Sequence, residues 1–342
     1  MMTDQSNSTT LAEPAVFTTT AETRFPCLCC GGELSSGDFP ALQQIVCPLC
    51  ESPLIIPGNF AHFRVYALVR LGRMGRVYWA TNQKDNREIC LKVINQDQLE
   101  PYSVEHILHE HEQAVQLSHP NITRYYSTGI VDGHPYVELE RQSQDSMQDL
   151  IDEDPTLSEI WVSKTALAIC QALSSARSKD LVHGDIRPAN IRHDKNGGTR
   201  LNNFGLGMLA DASRPALWGN PQFFSPEKLM KNETSPLSDQ YSLGVTLWYA
   251  MTKKLPYGDI APEDAIARIQ SGTPIPDIRS TNPRIHPELA DVITKMTQFD
   301  PAKRFSRYMQ IIPRLQISIH MQENIKKGYT SKPRPVQINP SA

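Results

Sequence analysis

The hydrophobic pattern of this 342-residue chain changes near Asp149, and this change limits its possible folds more than any other feature. Before it, short strand-like apolar runs lie close together, at residues 65–69, 77–80 and 89–94. Beyond it the pattern is mainly helical, with helices predicted over residues 160–178, 239–252, 262–270, 287–297 and 306–320. Closely spaced strands indicate an antiparallel sheet. The sequence therefore predicts an α+β fold in which a small β-rich lobe is joined to a larger helical lobe.

One helix and a second β-rich stretch are predicted between these regions. The apolar residues of 104–117 are compatible with a single helix, and residues 122–139 again have strand-like composition. Three histidines, His106, His109 and His111, fall on this helix. We expect them to lie on a mostly solvated face rather than to bind a metal ion.

Both ends of the chain are polar and lack hydrophobic periodicity. Residues 1–22 and residues 321–342 are therefore predicted to be disordered tails, flanking a cysteine-rich segment at 23–57 and a large domain at 60–320. The net charge of -3 does not indicate the excess of positive charge that is typical of proteins that bind nucleic acid. No apolar run approaches the roughly 18 residues of a membrane span, and the N-terminus lacks the pattern of a signal peptide. We expect a cytoplasmic protein that binds neither nucleic acid nor a membrane.

Four cysteines have the spacing of a tetrahedral metal site. Two C-x2-C pairs are separated by 16 residues, and their members are Cys27 and Cys30, Cys47 and Cys50. Such pairs direct four thiolates at one ion, Gly31 can supply the turn after the first pair, and Zn²⁺ accepts this geometry. The segment resembles a zinc ribbon with a structural ion. Cys29 is then a spare thiol, although a register that uses it stays open. Because no Lys or Arg lies between Cys30 and Cys47, a nucleic-acid-binding ribbon is not favoured.

Several short motifs follow the cysteine segment in a fixed order. Residues 71–78 read L-G-R-M-G-R-V-Y, and Lys92 ends the run I-C-L-K fifteen residues beyond Val77. Glu110 precedes the sequence H-P-N-I at 119–122 by nine residues. Later motifs are H-G-D-I-R-P-A-N at 183–190, N-F-G at 203–205, G-N-P-Q-F-F-S-P-E at 219–227 and D-P-A-K-R-F at 300–305. In this order and at these distances they resemble the motifs of the protein kinase family, from about residue 61 to residue 320.

The resemblance implies a two-lobed kinase fold and assigns roles to specific residues. Lys92 would contact the α- and β-phosphates of ATP and pair with Glu110, and Asp185 would be the catalytic base. Asn190 would hold a metal ion, and Arg187 replaces the usual lysine near the γ-phosphate. The further nucleotide-binding positions implied are Gly72, Gly75, Val77, Cys90, Leu139, Glu140, Arg192 and Asn203.

Two late motifs imply a structural contact instead of a catalytic one. The glutamate of A-P-E corresponds to Glu227, and the arginine of the D-P-x-x-R motif corresponds to Arg304. We expect these two side chains to form a buried ion pair whose disruption is costly.

The pattern departs from the family at three positions that matter for nucleotide binding. Asn203 replaces the aspartate of D-F-G, which binds Mg²⁺, so that a neutral amide stands where the family has a carboxylate. Arg70 replaces the first glycine of the loop, and Arg192 replaces an apolar residue beneath adenine. We therefore expect a pseudokinase or weakly active kinase that acts by protein binding, with doubtful ATP and Mg²⁺ binding. The alternatives are an active serine/threonine kinase acting on a protein substrate and a kinase for a small molecule.

Overall fold

The structure is a computed structural model and describes residues 18–19, 24–27, 29–35, 41–72, 75–95, 104–141, 145–154, 157–204 and 220–326. The predicted tails lie largely outside this part, as do Arg73, Met74, Gly205 and Gly219. The chain divides into two compact units: the first is Met1–Ser118 with Thr123–Gln144, and the second is His119–Ile122 with Asp145–Ala342.

The first unit is built on an antiparallel seven-stranded sheet. Its strand order is β1-β6-β7-β8-β9-β11-β10. These strands are β1 (Thr18–Thr19), β6 (Gly58–Phe60), β7 (Phe63–Gly72), β8 (Gly75–Asn82), β9 (Arg87–Ile94), β10 (Tyr125–Val131) and β11 (His134–Glu140). Two hairpins precede β6, formed by β2 (Arg24–Pro26) with β3 (Glu33–Ser35) and by β4 (Gln44–Val46) with β5 (Pro53–Ile55). Helix α1 (Val104–Val115) completes the unit. The strands predicted at 65–69, 77–80 and 89–94 are confirmed.

The sequence of the sheet explains its local geometry. The turn between β10 and β11 consists of Asp132 and Gly133, both at positive φ (46° and 82°). A two-residue hairpin turn whose twist matches that of the sheet requires positive φ at these positions. Strand β9 is buried on both faces. Ile89 and Leu91 lie in the main hydrophobic cluster, whereas Lys92 points to the opposite face because side chains alternate along a strand.

The second unit is mainly helical. Its helices are α2 (Met147–Glu153), α3 (Glu159–Arg177), α4 (Pro226–Lys231), α5 (Pro236–Thr252), α6 (Pro262–Gln270), α7 (Pro287–Met296) and α8 (Ile312–Lys326). A short hairpin joins β12 (Ile191–His193) to β13 (Thr199–Leu201). Helix α5 is buried along most of its length, begins with a capping box at Ser235 and ends at Lys253 in a left-handed conformation. None of the helices in the described ranges combines the length and the apolar character needed to cross a membrane.

Two sequence predictions need correction. The last helix was expected at 306–320, but it begins at Ile312 and reaches Lys326, because a 3-10 turn at Tyr308–Gln310 carries the first part of the apolar pattern. His111 is buried at 1% exposure and packs against the ring of Tyr125, so it does not share a solvated face. His109 is exposed as expected, and the side chain of His106 lies outside the described part of the structure.

The predicted N-terminal tail is interrupted by an ordered pair of residues. Thr18 and Thr19 form β1, which pairs with Asn59 and Gly58 at the edge of the sheet. The start of the predicted C-terminal tail at residue 321 is wrong, because α8 continues to Lys326. The other predicted domain boundaries stay predictions.

Candidate functional site

The two cysteine pairs form matching turns that bring their sulfur atoms together. Hydrogen bonds from Gly31 N to the carbonyl of Cys27 and from Glu51 N to the carbonyl of Cys47 close the two turns, at 2.8 and 2.9 Å. Gly31 and Glu51 both have positive φ, 73° and 58°. The glycine predicted at the first turn is therefore confirmed, and its counterpart in the second turn is a glutamate.

All four predicted cysteine ligands converge. Their Sγ atoms lie within 4.8 Å of one another, and Cys29 is exposed and outside this set. Hydrogen bonds from the Ser52 side chain and backbone lower the pKa of Cys50 to about 6, and backbone hydrogen bonds of Cys30 and Cys29 lower that of Cys27. Zinc requires thiolates. The pKa of Cys30 is raised to about 12 although a backbone hydrogen bond of Gly32 lowers it, because the thiols of Cys50, Cys27 and Cys47 and burial act in the opposite direction. The convergence of the four sulfurs is therefore what fits a tetrahedral Zn²⁺ ion of the structural type.

Lys92 and Cys90 lie on one face of β9 in the first unit. Lys92 is 7% exposed and stands opposite Val77 of β8 and Val137 of β11, while Cys90 stands opposite Leu139. The strand register thus places four of the predicted nucleotide-binding residues on neighbouring strands: Val77, Cys90, Lys92 and Leu139. Their roles stay predictions.

The two glycines predicted in the nucleotide loop lie on neighbouring strands. Gly72 ends β7 and Gly75 begins β8, and the two are register partners. Gly75 has φ 144°, and a Cβ atom there would collide with the carbonyl oxygen of Val93. Packing within the sheet therefore requires glycine at this position, and its contact with a nucleotide stays a prediction.

Glu110 and Glu140 also belong to the first unit. Glu110 is half-buried on α1, and this helix packs against β10 and β11. Glu140 closes β11, where its carboxylate accepts a hydrogen bond from the backbone of Arg124 at 3.0 Å. The pairing of Glu110 with Lys92 implied by the resemblance stays a prediction.

In the second unit, the predicted base and the two predicted metal-binding side chains form one hydrogen-bonded chain. Asn190 Nδ2 donates to the backbone carbonyl and to Oδ2 of Asp185, each at 2.7 Å. Asn203 Nδ2 donates in turn to Asn190 Oδ1 at 2.7 Å. Because Asp185 offers only acceptors, it fixes the amide orientation of Asn190, and this orientation fixes the amide of Asn203. The oxygen of Asn190 that would face a metal ion already accepts a hydrogen bond.

Asn202 holds the backbone of this chain in place. Its Oδ1 accepts the backbone N–H of Asn203 at 2.8 Å, and its own N–H donates to the carbonyl of Asn190 at 2.9 Å. Asn203 adopts φ 66°, a left-handed conformation that asparagine tolerates better than most residues. Sequence comparison with the motif overlooked Asn202, because its contribution is a local contact to the backbone.

The catalytic-loop segment is anchored to α5 by a buried aspartate. Asp239 accepts backbone N–H groups from His183 at 2.9 Å and from Gly184 at 2.8 Å. Burial lowers the pKa of His183 to about 4, so its ring is neutral at pH 7. Nδ1 accepts the N–H of Asp185, and Nε2 therefore donates to the carbonyl of Asn202 at 2.7 Å. His183 is therefore a packed residue that positions the segment 183–190.

Two arginines flank the same segment. The Arg187 Nε atom lies 3.0 Å from Oδ1 of Asp185, and both side chains are largely buried. Arg192 lies on β12, where its register partner across the hairpin is Arg200. Arg192 is half-buried at the position where the family has an apolar residue.

The expected ion pair between the two late motifs is confirmed. Arg304 donates to both carboxylate oxygens of Glu227, at 2.6 and 2.9 Å, and its side chain is fully buried. Although burial alone would raise the pKa of Glu227, the hydrogen bond and charge of Arg304 hold it below its usual value.

Comparison with known proteins identifies the protein family to which the chain belongs. The protein kinase domain model matches residues 64–315, well over half of the chain. The chain therefore belongs to the protein kinase family, with a curled β-sheet N-lobe, a helical C-lobe and an N-terminal cysteine cluster.

Its curated relatives include bacterial serine/threonine-protein kinases. A probable serine/threonine-protein kinase of Clostridium perfringens is 27% identical over 267 residues, 76% of this chain and 38% of that relative. The serine/threonine-protein kinase PrkC of Bacillus subtilis is 25% identical over 249 residues, 71% of this chain and 38% of PrkC. PknB of Mycolicibacterium smegmatis is 26% identical over 249 residues, 70% of this chain and 40% of PknB. The chain thus spans well under half the length of these relatives.

Proposed function

We propose that this chain is a protein-kinase homologue with lost or strongly weakened phosphoryl transfer, which acts mainly by binding a protein partner. The observation that carries the proposal is the hydrogen bond from Asn203 Nδ2 to Asn190 Oδ1. In the family these two positions supply oxygen atoms to Mg²⁺. Here Asn203 directs an N–H donor at the oxygen of Asn190 and uses one of its two lone pairs.

The loss of charge at Asn203 acts in the same direction. Mg²⁺ is a hard cation that is bound through carboxylates together with phosphate oxygens. A neutral amide oxygen contributes a ligand but no charge, so the ion and the ATP that it accompanies should bind more weakly. Arg192 adds a further obstacle, because a guanidinium beneath the base must stack flat on it or fill its place.

One observation favours a second candidate, an active serine/threonine kinase. Asp185 is kept, is 4% exposed, accepts a hydrogen bond from Asn190, and has the Arg187 Nε atom at 3.0 Å. A base held in this way retains the arrangement needed to accept a hydroxyl proton. On this second proposal one metal ion, held without Asn203, would suffice, and the substrates would be proteins.

Phosphate transfer from radiolabelled ATP distinguishes the two candidates. We expect little transfer by the native chain and a gain in Asn203→Asp, because the restored carboxylate supplies the missing charge. Asn202→Asp is the matched control, since it makes the same substitution at the adjacent residue, outside the predicted metal-binding pair. Transfer by the native chain that Asp185→Ala abolishes would refute the proposal and establish the active kinase.

Thermal unfolding with ATP separates binding from chemistry. A ligand that binds only the folded state raises its stability by RT ln(1 + [L]/Kd). We expect the native chain to show a small shift that changes little with Mg²⁺, and Asn203→Asp to show a larger shift that requires Mg²⁺. A steep Mg²⁺ dependence in the native chain would contradict the weakened metal site.

A further inference from the structure

Residues 54–56, at the end of strand β5 and directly after it, contribute to two hydrophobic clusters. Leu54 and Ile56 belong to a small cluster with Cys27 and Cys47. Ile55, between them, is 4% exposed and lies in the main cluster of the kinase sheet. Because successive side chains of an extended segment point to opposite sides, this segment packs on the cysteine cluster with one side and on the N-lobe core with the other.

Leu42 is a second link between the cysteine segment and the sheet. It is fully buried in the main cluster although its backbone has φ 62°, a conformation that is unfavourable for leucine. Hydrogen bonds hold it there: Leu42 N donates to the carbonyl of Ile56 at 2.8 Å, and Ile56 N donates to that of Gln43 at 2.9 Å. Leu42 is thus tied to the segment 54–56 that packs on the cysteines.

Leu42 and Ile55 share a hydrophobic cluster with the reverse face of the strand that carries Lys92, because Ile89, Leu91 and Val93 of β9 belong to the same cluster. Within the described residues, β5 packs on β7. Lys92 projects from the other face of β9. The cysteine segment therefore contributes to the core that lies behind β9.

The short strands of the cysteine segment give a reason for it to need a metal ion in this role. Each of its four strands has only three residues, which is too little to hold a fold without a metal or another crosslink. Cys30 is exposed and Cys50 is partly exposed, so a chelator has access to two of the four sulfurs.

We propose that the four-cysteine site is a metal-dependent support for the Lys92 strand, so that the loss of a thiophilic divalent cation such as Zn²⁺ selectively loosens the N-lobe sheet. The cation holds the two short hairpins, the hairpins hold Leu42 and Ile55, and these side chains complete the core beneath β9. This role is independent of whether the chain transfers phosphate or binds ATP.

Amide hydrogen exchange of the full-length chain tests the coupling. Removing the cation with a chelator, or by Cys30→Ser, should speed exchange in β7, β8 and β9 at least tenfold and leave α5 unchanged. Cys29→Ser is the matched control, because it removes a neighbouring thiol outside the set and should leave metal content and exchange as in the native chain. Faster exchange confined to residues 24–56 would overturn the proposal, as would an equal increase in α5.

A second pair of variants tests the packing step with the metal in place. Leu42→Ala should keep one metal ion per chain, measured by metal analysis, and still speed exchange in β9 severalfold. Val46→Ala is its control, because Val46 lies in the same segment but is 63% exposed. Unchanged β9 exchange in metal-loaded Leu42→Ala would show that the segment does not support the strand.

Discussion

Removing Arg304 should be one of the most costly single changes in the helical unit. The fully buried guanidinium donates to both oxygens of Glu227 and to the carbonyls of Leu237 at 2.8 Å, Gln298 at 2.8 Å and Phe299 at 3.1 Å. Arg304→Ala leaves the carboxylate of Glu227 with a side-chain hydrogen bond from the Ser238 hydroxyl, at 2.9 Å.

The magnitude follows from what is left behind. A buried ion pair broken by removing one partner costs about 3–5 kcal/mol, because the other charge stays in the protein without compensation. Protonation of Glu227 limits this loss, since removing the arginine raises the pKa of the carboxyl group. The carbonyl groups that lose a donor add to it. We therefore expect Arg304→Ala to lower the free energy of unfolding by about 4 kcal/mol at pH 7.

Urea unfolding followed by tryptophan fluorescence measures this loss, and the chain offers a matched control. Arg314 lies 3.4 Å from Glu288, but its side chain is 48% exposed. Exposed pairs of this kind contribute about 0–1 kcal/mol, so Arg314→Ala should change stability little. Arg304→Lys should lose most of the same stability, because an ammonium group cannot reproduce the two-pronged contact. If Arg304→Ala costs no more than Arg314→Ala, the reasoning about the buried pair is wrong.

Three further changes have definite expected results. Gly75→Ala should destabilise the N-lobe by more than about 2 kcal/mol in thermal unfolding, because its Cβ atom would collide with the backbone of the next strand. Gly133→Ala is the control and should cost only about 1 kcal/mol, because its Cβ atom would have no neighbour within 4 Å. Equal losses in the two variants would contradict the predicted collision. Burial lowers the pKa of His193 to about 4, below its value of 6.5 when exposed. Because the unfolded chain takes up this proton near pH 6.5 and the folded chain only near pH 4, the free energy of unfolding is highest above pH 6.5 and falls by about 1.4 kcal/mol per pH unit between pH 6.5 and 4. In urea unfolding, His193→Phe should therefore lose stability less steeply with acid than the native chain. Parallel pH curves for the two proteins would refute this. Without metal, Asn203→Asp should lower the free energy of unfolding by about 1–3 kcal/mol, because it exchanges a donor for a second oxygen, and added Mg²⁺ should reverse part of the loss; a Mg²⁺-independent stability would count against a restored metal site.

The sequence predicted the parts of the fold that depend on regular spacing. The cysteine pairs specify their own turns, and the apolar run at 89–94 specifies the strand that carries Lys92. Glu227 and Arg304 could be paired only through the family motifs, because they are far apart along the chain and no local pattern links them.

Contacts between elements were beyond what spacing can predict. Leu42 has no periodic partner in the sequence, and its burial depends on how the cysteine segment folds back onto the sheet. His111 was assigned to a solvated face because it is polar, yet a neutral imidazole can pack against an aromatic ring such as that of Tyr125. The start of α8 was misplaced because a 3-10 turn and an α-helix can bury the same apolar pattern.

The exchange of aspartate for Asn203 illustrates why a kinase fold can lose a metal ligand without losing its shape. Asparagine adopts the left-handed backbone conformation readily, so φ 66° imposes little strain. The contacts described for Asn203 use its backbone N–H and its Nδ2 group, and neither contact requires a negative charge. Folding therefore gives no reason to keep the carboxylate, because only metal binding requires it. The scaffold contacts of Glu227, Asp239 and His183 are intact for the same reason: each is satisfied within the protein, and none depends on the nucleotide.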